Sequence, residues 1–260
     1  MVFYYLTLRH LETGTSAGHF WLHLLLVHNF DAGAFSGINP AFWSLAVEMQ
    51  FYLLFPLVLW LRQKVGMKSA FWFFAAISLV CRITALFLQD WSQPVESHLW
   101  AFTLTLFVDW LLGAWPAEKW LAGQRLLGAS PNKVLALGIL AVALTWNKIT
   151  VAFLGFTAFS LWYATLMELY LFSKKPFGRW EKMIVPVGLC SYSIYLWHQP
   201  LLGRVLHWLH KFGLPLTPTA TLIALPVVAL TMILLGFLSY KLVELPGINL
   251  GKRLYKKMKG

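Results

Sequence analysis

The chain has 260 residues, of which 59% are hydrophobic and only 12% charged, with a mean hydropathy of +0.65, a balance that excludes an ordinary water-soluble globular domain. Crossing the hydrocarbon of a bilayer takes roughly 20 apolar residues per helix, so residues 1–260 have room for about seven or eight spans in a single membrane domain and for no separate soluble one. The 21 Lys and Arg against 10 acidic residues give a formal charge of +11, which would suit nucleic acid unless the cations gather in alternate loops, as they do in membrane proteins.

From the N-terminus, Val2 to Leu8 is apolar but too short to span, and reads as the tail of a longer helix. No basic region precedes it as a secretory signal would require. After a polar stretch, Phe20 to Val27 is less than half a span and is expected to lie at the interface or to re-enter. Full spans are expected at about 42 to 61, 71 to 88, 99 to 116, 133 to 147, 151 to 172, 184 to 205 and 219 to 241. The fold class is therefore an all-helical, polytopic membrane bundle of about seven full spans plus a partial N-terminal helix.

The loops decide the charge question. One set carries Arg62, Lys64 and Lys68, then Lys119, Arg125 and Lys133, then Lys174, Lys175, Arg179 and Lys182, and finally a tail with Lys252, Arg253, Lys256, Lys257 and Lys259. The opposite set holds little beyond Arg9, Lys148 and Lys211, and it carries Asp31, Asp90 and Glu96. The positive-inside rule puts the first set and the C-terminus in the cytoplasm, and nucleic-acid binding becomes unnecessary. The 14 Trp and 20 Phe fit interfacial anchors of the spans.

Pro56, Pro186, Pro200 and Pro226 fall inside expected spans, where each removes a backbone donor and frees a carbonyl that a neighbouring helix must satisfy. Cys81 and Cys190 sit far apart in apolar stretches and read as packing residues, and no Cys/His cluster has metal-ligand spacing. His19, His23 and His28 flank the short segment near the N-terminus and read as interfacial. No phosphate loop, nucleophile elbow or fixed-period repeat is present.

Ionisable groups within hydrocarbon are costly, so each is a functional candidate. In Phe42-Trp-Ser-Leu-Ala-Val-Glu-Met-Gln-Phe-Tyr52, the spacing puts Ser44, Glu48, Phe51 and Tyr52 on one helical face. Glu48 there either does chemistry or locks helices together through a basic partner, for which Arg82 in the next span is the obvious mate. In Cys190-Ser-Tyr-Ser-Ile-Tyr-Leu-Trp-His-Gln-Pro200, Ser191, Tyr195 and His198 share a face. A His there can act as a base, as a ligand partner or as a packed polar residue. Asp109 and Arg204 are weaker candidates, because each can pair or snorkel locally.

The run from Phe42 through Tyr52 to Pro56 closely resembles the signature helix of acyltransferase family 3, membrane enzymes that O-acylate surface sugars. Ser191-Tyr-Ser-Ile-Tyr-Leu-Trp-His198 and Tyr240-Lys-Leu-Val-Glu-Leu-Pro246 follow in the family's order, and Arg82 and Gly113 fall where it tends to have Arg and Gly. The resemblance implies O-acetylation: acetyl transfer from acetyl-CoA, a co-substrate rather than a bound cofactor, to a hydroxyl of a polysaccharide or glycolipid at the outer face of a bacterial inner (plasma) membrane. It assigns catalytic roles to Glu48 and His198, and substrate contacts to Ser44, Tyr52, Arg82, Ser191 and Tyr195. The lipid bilayer, acyl-CoA and the saccharide acceptor are the implied partners.

The family pattern begins with two further spans, the first carrying an Arg and a His that acts as base, and no residue here matches them. Met1 falls where the third family helix is already under way, so the chain resembles a family member without its N-terminal part. A membrane transporter or flippase component, with Glu48, Arg82 and His198 along its path, is the alternative from another functional class.

Overall fold

The computed structural model describes residues 17–92, 97–173, 178–211 and 218–259; the expected helix tail at Val2 to Leu8 lies outside them. Every regular element among the described residues is helical. In chain order the longer helices are α1 (Ala17–Leu24), α2 (Phe42–Leu88), α3 (Thr103–Leu121), α4 (Pro131–Ala143), α5 (Lys148–Phe172), α6 (Arg179–Leu189), α7 (Ser191–Lys211), α8 (Pro218–Ser239) and α9 (Leu245–Lys259). The chain divides into two compact units: one of Gly18–Phe35 and Trp43–Lys175, the other of Met1–Ala17, Ser36–Phe42 and Pro176–Gly260.

Among the described residues three helical stretches are long and apolar enough to cross a membrane: Phe42–Leu88, Lys148–Phe172 and Leu225–Met258. Between 11% and 28% of their most apolar windows is buried, so most of these apolar side chains face outward, as in helices solvated by lipid. Pro131–Trp146 is apolar but shorter. Of the seven full spans expected from the sequence, the described residues show these three stretches.

In the first unit α2 holds two of the expected spans in one helical run. Its 47 residues would measure about 70 Å if straight, more than twice the hydrocarbon thickness. Phe51 and Phe74 would then stand about 35 Å apart, yet both rings pack on Phe107, with centroids 5.4 and 4.7 Å away. The helix therefore folds back, and the reversal sits at Gly66 (φ 81°, ψ 157°), a conformation open in practice only to glycine. Val47, Phe51 and Val58 from the first arm and Met67, Phe71 and Phe74 from the second enclose Leu106, Phe107 and Leu111 of α3. Arg62 meets Glu118 at 2.6 Å near the turn.

The loop from α3 to α4 is held by one carboxylate. Glu168 on α5 accepts from the backbone N–H of Leu126 (2.7 Å), Leu127 (2.9 Å) and Ala129 (3.0 Å). Ser130 then caps α4 by accepting from Lys133 N–H, with Pro131 in the first turn.

At the start of this unit, the short segment that the sequence puts at the interface is tied down by polar contacts. Gln50 donates to Leu26 O (2.8 Å) and Asn29 Oδ1 (2.9 Å), and it accepts from Thr103 Oγ1. His23 and His28 are buried, and their rings stack 4.0 Å apart at 9°.

In the second unit α7 and α8 pack closely. A Cβ at Gly236 would lie 3.1 Å from the Ile194 backbone and nearer still to its side chain, so a hydrogen at this position lets the two helices approach. Ser193 donates to Glu244 at 2.7 Å and fixes the turn after α8.

No atom lies within 4 Å of a Cβ placed on Gly66, so alanine there would meet backbone strain rather than a clash. We expect Gly66→Ala to cost about 1–3 kcal/mol, read as a fall in thermal stability of the protein in detergent, with Gly113→Ala, inside α3 and equally open, as the near-neutral control.

Candidate functional site

Two polar pairs and one buried ion pair come out of the motif residues. The first pair lies on α2 of the first unit. Tyr52 donates its hydroxyl to Glu48 Oε1 at 2.5 Å, one helical turn away, and both side chains are exposed. Ser44, a further turn back, is half-buried. Phe51 leaves this face: it is 8% exposed and belongs to the core with Phe107. The edge of the helix's buried face thus runs between Phe51 and Tyr52, adjacent residues about 100° apart around the helix.

The second pair lies on α7 of the second unit. Pro200 has no N–H for the carbonyl of Leu196, four residues back, and Asn39 Nδ2 donates to that carbonyl at 3.0 Å. Asn39 Oδ1 in turn accepts from Ala41 N–H at 3.0 Å, and Tyr195 Oη donates to Ala41 O at 2.9 Å. The Asn39 to Ala41 turn is thereby stitched to α7 at two successive residues.

Tyr195 also supplies the partner of His198. The imidazole Nδ1 hydrogen-bonds to the carbonyl of Tyr195, and the two rings lie 5.1 Å apart at 39°. A carbonyl only accepts, so Nδ1 carries a proton in this contact, and of the two neutral tautomers the geometry selects the one with its lone pair on Nε2. Tyr195 and His198 are both half-buried, and Ser191, at the start of the helix, is exposed.

Arg82 is not the mate of Glu48. It is 6% exposed and turned to other acceptors. Its Nη2 meets Asp109 Oδ2 at 2.6 Å, Nε donates to Thr105 O at 2.9 Å, and Nη1 donates to Thr157 Oγ1 at 2.6 Å and Phe153 O at 3.0 Å. Thr157 donates its own hydroxyl hydrogen bond to Asp109 Oδ1 at 2.5 Å. From sequence, Glu48 and Asp109 both lie in spans next to that of Arg82, and Glu48 is the expected mate because Asp109 can pair or snorkel locally. The register of α2 against α3 instead turns Arg82 toward Asp109 and Glu48 outward.

Sequence reasoning missed Asn39, Gln50, Thr157 and Glu168. Asn39 had a signal, an Asn-Pro pair just ahead of a helix. Glu168 had one in being a lone carboxylate in an apolar run. Gln50 and Thr157 had none, because their partners are distant in sequence. Among the described residues no three His, Cys, Asp or Glu side chains are grouped to hold a metal ion.

With this geometry in view, likeness to known proteins adds the family. Residues 1–241 match the acyltransferase domain of acyltransferase family 3, and the chain belongs to that family. Curated relatives include the O-acetyltransferase OatA of Staphylococcus aureus strains NCTC 8325 / PS 47, COL and MRSA252, each 25% identical over 218 residues. The match covers 78% of this chain and 35% of each relative, so the chain spans about a third of their length. No solved structure matches it. The transporter alternative gains no support from these likenesses.

Removing one member of a buried ion pair strands the other. Asp109→Ala should lose about 3–5 kcal/mol of stability, while Arg82→Leu combined with Asp109→Leu should recover most of it. Thermal unfolding of the three forms in detergent tests this, and a single variant as stable as the double one would remove the pair from the core of the unit.

Proposed function

We propose that this chain, as the membrane domain of an acyltransferase family 3 protein, transfers an acetyl group from acetyl-CoA to a hydroxyl of a cell-surface polysaccharide or glycolipid. The family match and relatives whose name is O-acetyltransferase support the reaction class. The observation that supports the chemistry is His198, whose Nδ1 is committed to Tyr195 O, so that in the neutral imidazole Nε2 is the nitrogen left to accept a proton.

In the reaction the acceptor's hydroxyl oxygen bonds to the acetyl carbonyl carbon, the carbon–sulfur bond breaks, and CoA leaves as the thiolate, which takes up the proton removed from the hydroxyl to become the thiol. The hydroxyl proton has to be taken up as the bond forms, and His198 Nε2 is suited to receive it. Glu48, anchored on one oxygen by Tyr52, keeps the other to accept from an acceptor hydroxyl. Ser44 on α2, and Ser191 and Tyr195 on α7, are the further polar groups of the two motif segments. Arg82 acts through Asp109 and Thr157 by fixing α2, α3 and α5.

We place the seven spans as the hydropathy suggests, in the inner (plasma) membrane, with the Lys- and Arg-rich loops and the C-terminus in the cytoplasm. On that side the loop cations Lys119, Arg125 and Lys133 suit the anionic CoA. Glu48 and His198 then fall in the outer halves of their helices, the side from which a surface glycan arrives.

The test is label transfer from radioactive acetyl-CoA to membrane glycans in vesicles that carry the chain within its flanking coding sequence. His198→Ala is expected to lower turnover about 10²- to 10⁴-fold and Glu48→Gln to lower it less, both with unchanged membrane insertion and thermal stability. Turnover untouched by both variants would remove them from the chemistry, and stability falling in step with turnover would make them helix ties instead.

A further inference from the structure

The chain carries an amphipathic surface that no part of the transfer reaction uses. Leu225–Met258 forms one helical run of 34 residues, about 51 Å if straight, whereas the hydrocarbon is about 30 Å thick. Some 14 residues must therefore lie beyond it, which is close to the length of α9. The boundary is marked in the backbone as well: Tyr240–Glu244 is a π-helical turn, Glu244 is pinned by Ser193, and Pro246 and Gly247 follow. Widened turns and proline are the places where a helix changes direction.

The two faces of α9 are sharply different. At about 100° per residue, Ile248, Leu250, Leu254 and Met258 fall within an arc of about 160° that contains no charge. Lys252, Arg253, Lys256 and Lys257 fill the opposite side. The apolar side chains are open: Leu250 is 58% exposed, Leu254 53% and Met258 85%. An apolar arc backed by four cations, directly after a membrane helix, matches the chemistry of an anionic lipid surface, with acyl chains for the one side and phosphate headgroups for the other.

We propose that α9 folds over at Tyr240–Gly247 and lies in the headgroup layer of the membrane that α8 enters, held by anionic phospholipid. The inference rests on the reading that α8 spans a bilayer. It concerns a lipid surface, not a soluble acidic partner, because α9 directly follows a helix of membrane-spanning length, where the bilayer offers hydrocarbon to the apolar arc and phosphate headgroups to the cations.

The experiment uses the full chain, with Cys81 and Cys190 replaced, reconstituted in vesicles of phosphatidylcholine alone or mixed with phosphatidylglycerol. A spin label is placed singly at Leu254→Cys, Lys256→Cys or Leu230→Cys, and its collisions with membrane-dissolved oxygen and with a water-soluble nickel complex are compared. In the mixed vesicles at low salt, the label at 254 should be reached by oxygen and shielded from nickel, and the label at 256 the reverse. Each Lys→Gln change on the charged side should weaken docking roughly fivefold, and added salt should weaken it further.

A label at 254 that stays open to nickel in anionic vesicles overturns the proposal. So does one that is immersed equally without anionic lipid or after all four cations are replaced, or one shielded only when a soluble polyanion is added. The label at 230, on the exposed side of α8, reports separately: open to nickel in every vesicle, it would mean that the spanning reading itself fails. All these substitutions fall on exposed side chains apart from the two cysteines, so loss of folding would show in the cysteine-free parent before any label is attached.

Discussion

A guanidinium among apolar helices must find an acceptor for every N–H that it turns inward, because nothing else there will hydrate it. Arg82 finds four, and their placement organises the first unit. Thr105 and Asp109 belong to α3, and Phe153 and Thr157 to α5, so one side chain on α2 sets the register of three helices. The Phe153 carbonyl is available at the π-turn Val151–Gly155, where the regular ladder of backbone bonds is interrupted. A hydrophobic residue at 82 would pack as well but would not select among registers, whereas the fork of the guanidinium fits one arrangement.

The second unit solves a smaller version of the same problem. Proline within α7 frees a backbone carbonyl, and in a span that carbonyl cannot turn to water. Asn39 answers it from a turn more than 150 residues earlier in the chain. Tyr195 has its hydroxyl on that turn and its carbonyl on His198. The backbone contact that steadies the turn and the bond that fixes the imidazole tautomer thus share one residue. This places His198 in a defined orientation through a backbone carbonyl.

The membrane class, the reversal between residues 61 and 71 and the identity of Glu48 and His198 as polar residues on helices were legible in the chain, because each follows from local composition or spacing. Partner choice was not. Glu48 and Arg82 looked complementary because both lie in neighbouring spans, but which way each points depends on how far α2 has rotated against α3. That rotation is fixed by Phe51, Phe74 and Phe107 in the core, and no spacing rule within one helix contains it. The same limit hid Gln50, whose partners lie on two separate segments, the Leu26 to Asn29 stretch and the start of α3. Asn39 and Glu168 were nearer to being readable, the one as an Asn-Pro turn and the other as a lone acid above a loop with Gly123 and Gly128.

Spare hydrogen-bonding capacity separates the residues that hold this fold from those suited to chemistry. Asp109 has both oxygens engaged, one by Arg82 and one by Thr157, and Glu168 spends its two oxygens on three backbone N–H groups. Neither can take a substrate proton without releasing a contact that the helices need, and such a release carries the penalty of a buried unpaired group. Glu48 and His198 differ in kind. Each is fixed at one atom, by Tyr52 and by the Tyr195 carbonyl, and among the described residues each keeps a second acceptor with no protein donor on it. Orientation with an acceptor left over is what a transfer site requires of its polar groups, and in this chain it coincides with the two positions that the family motif marks.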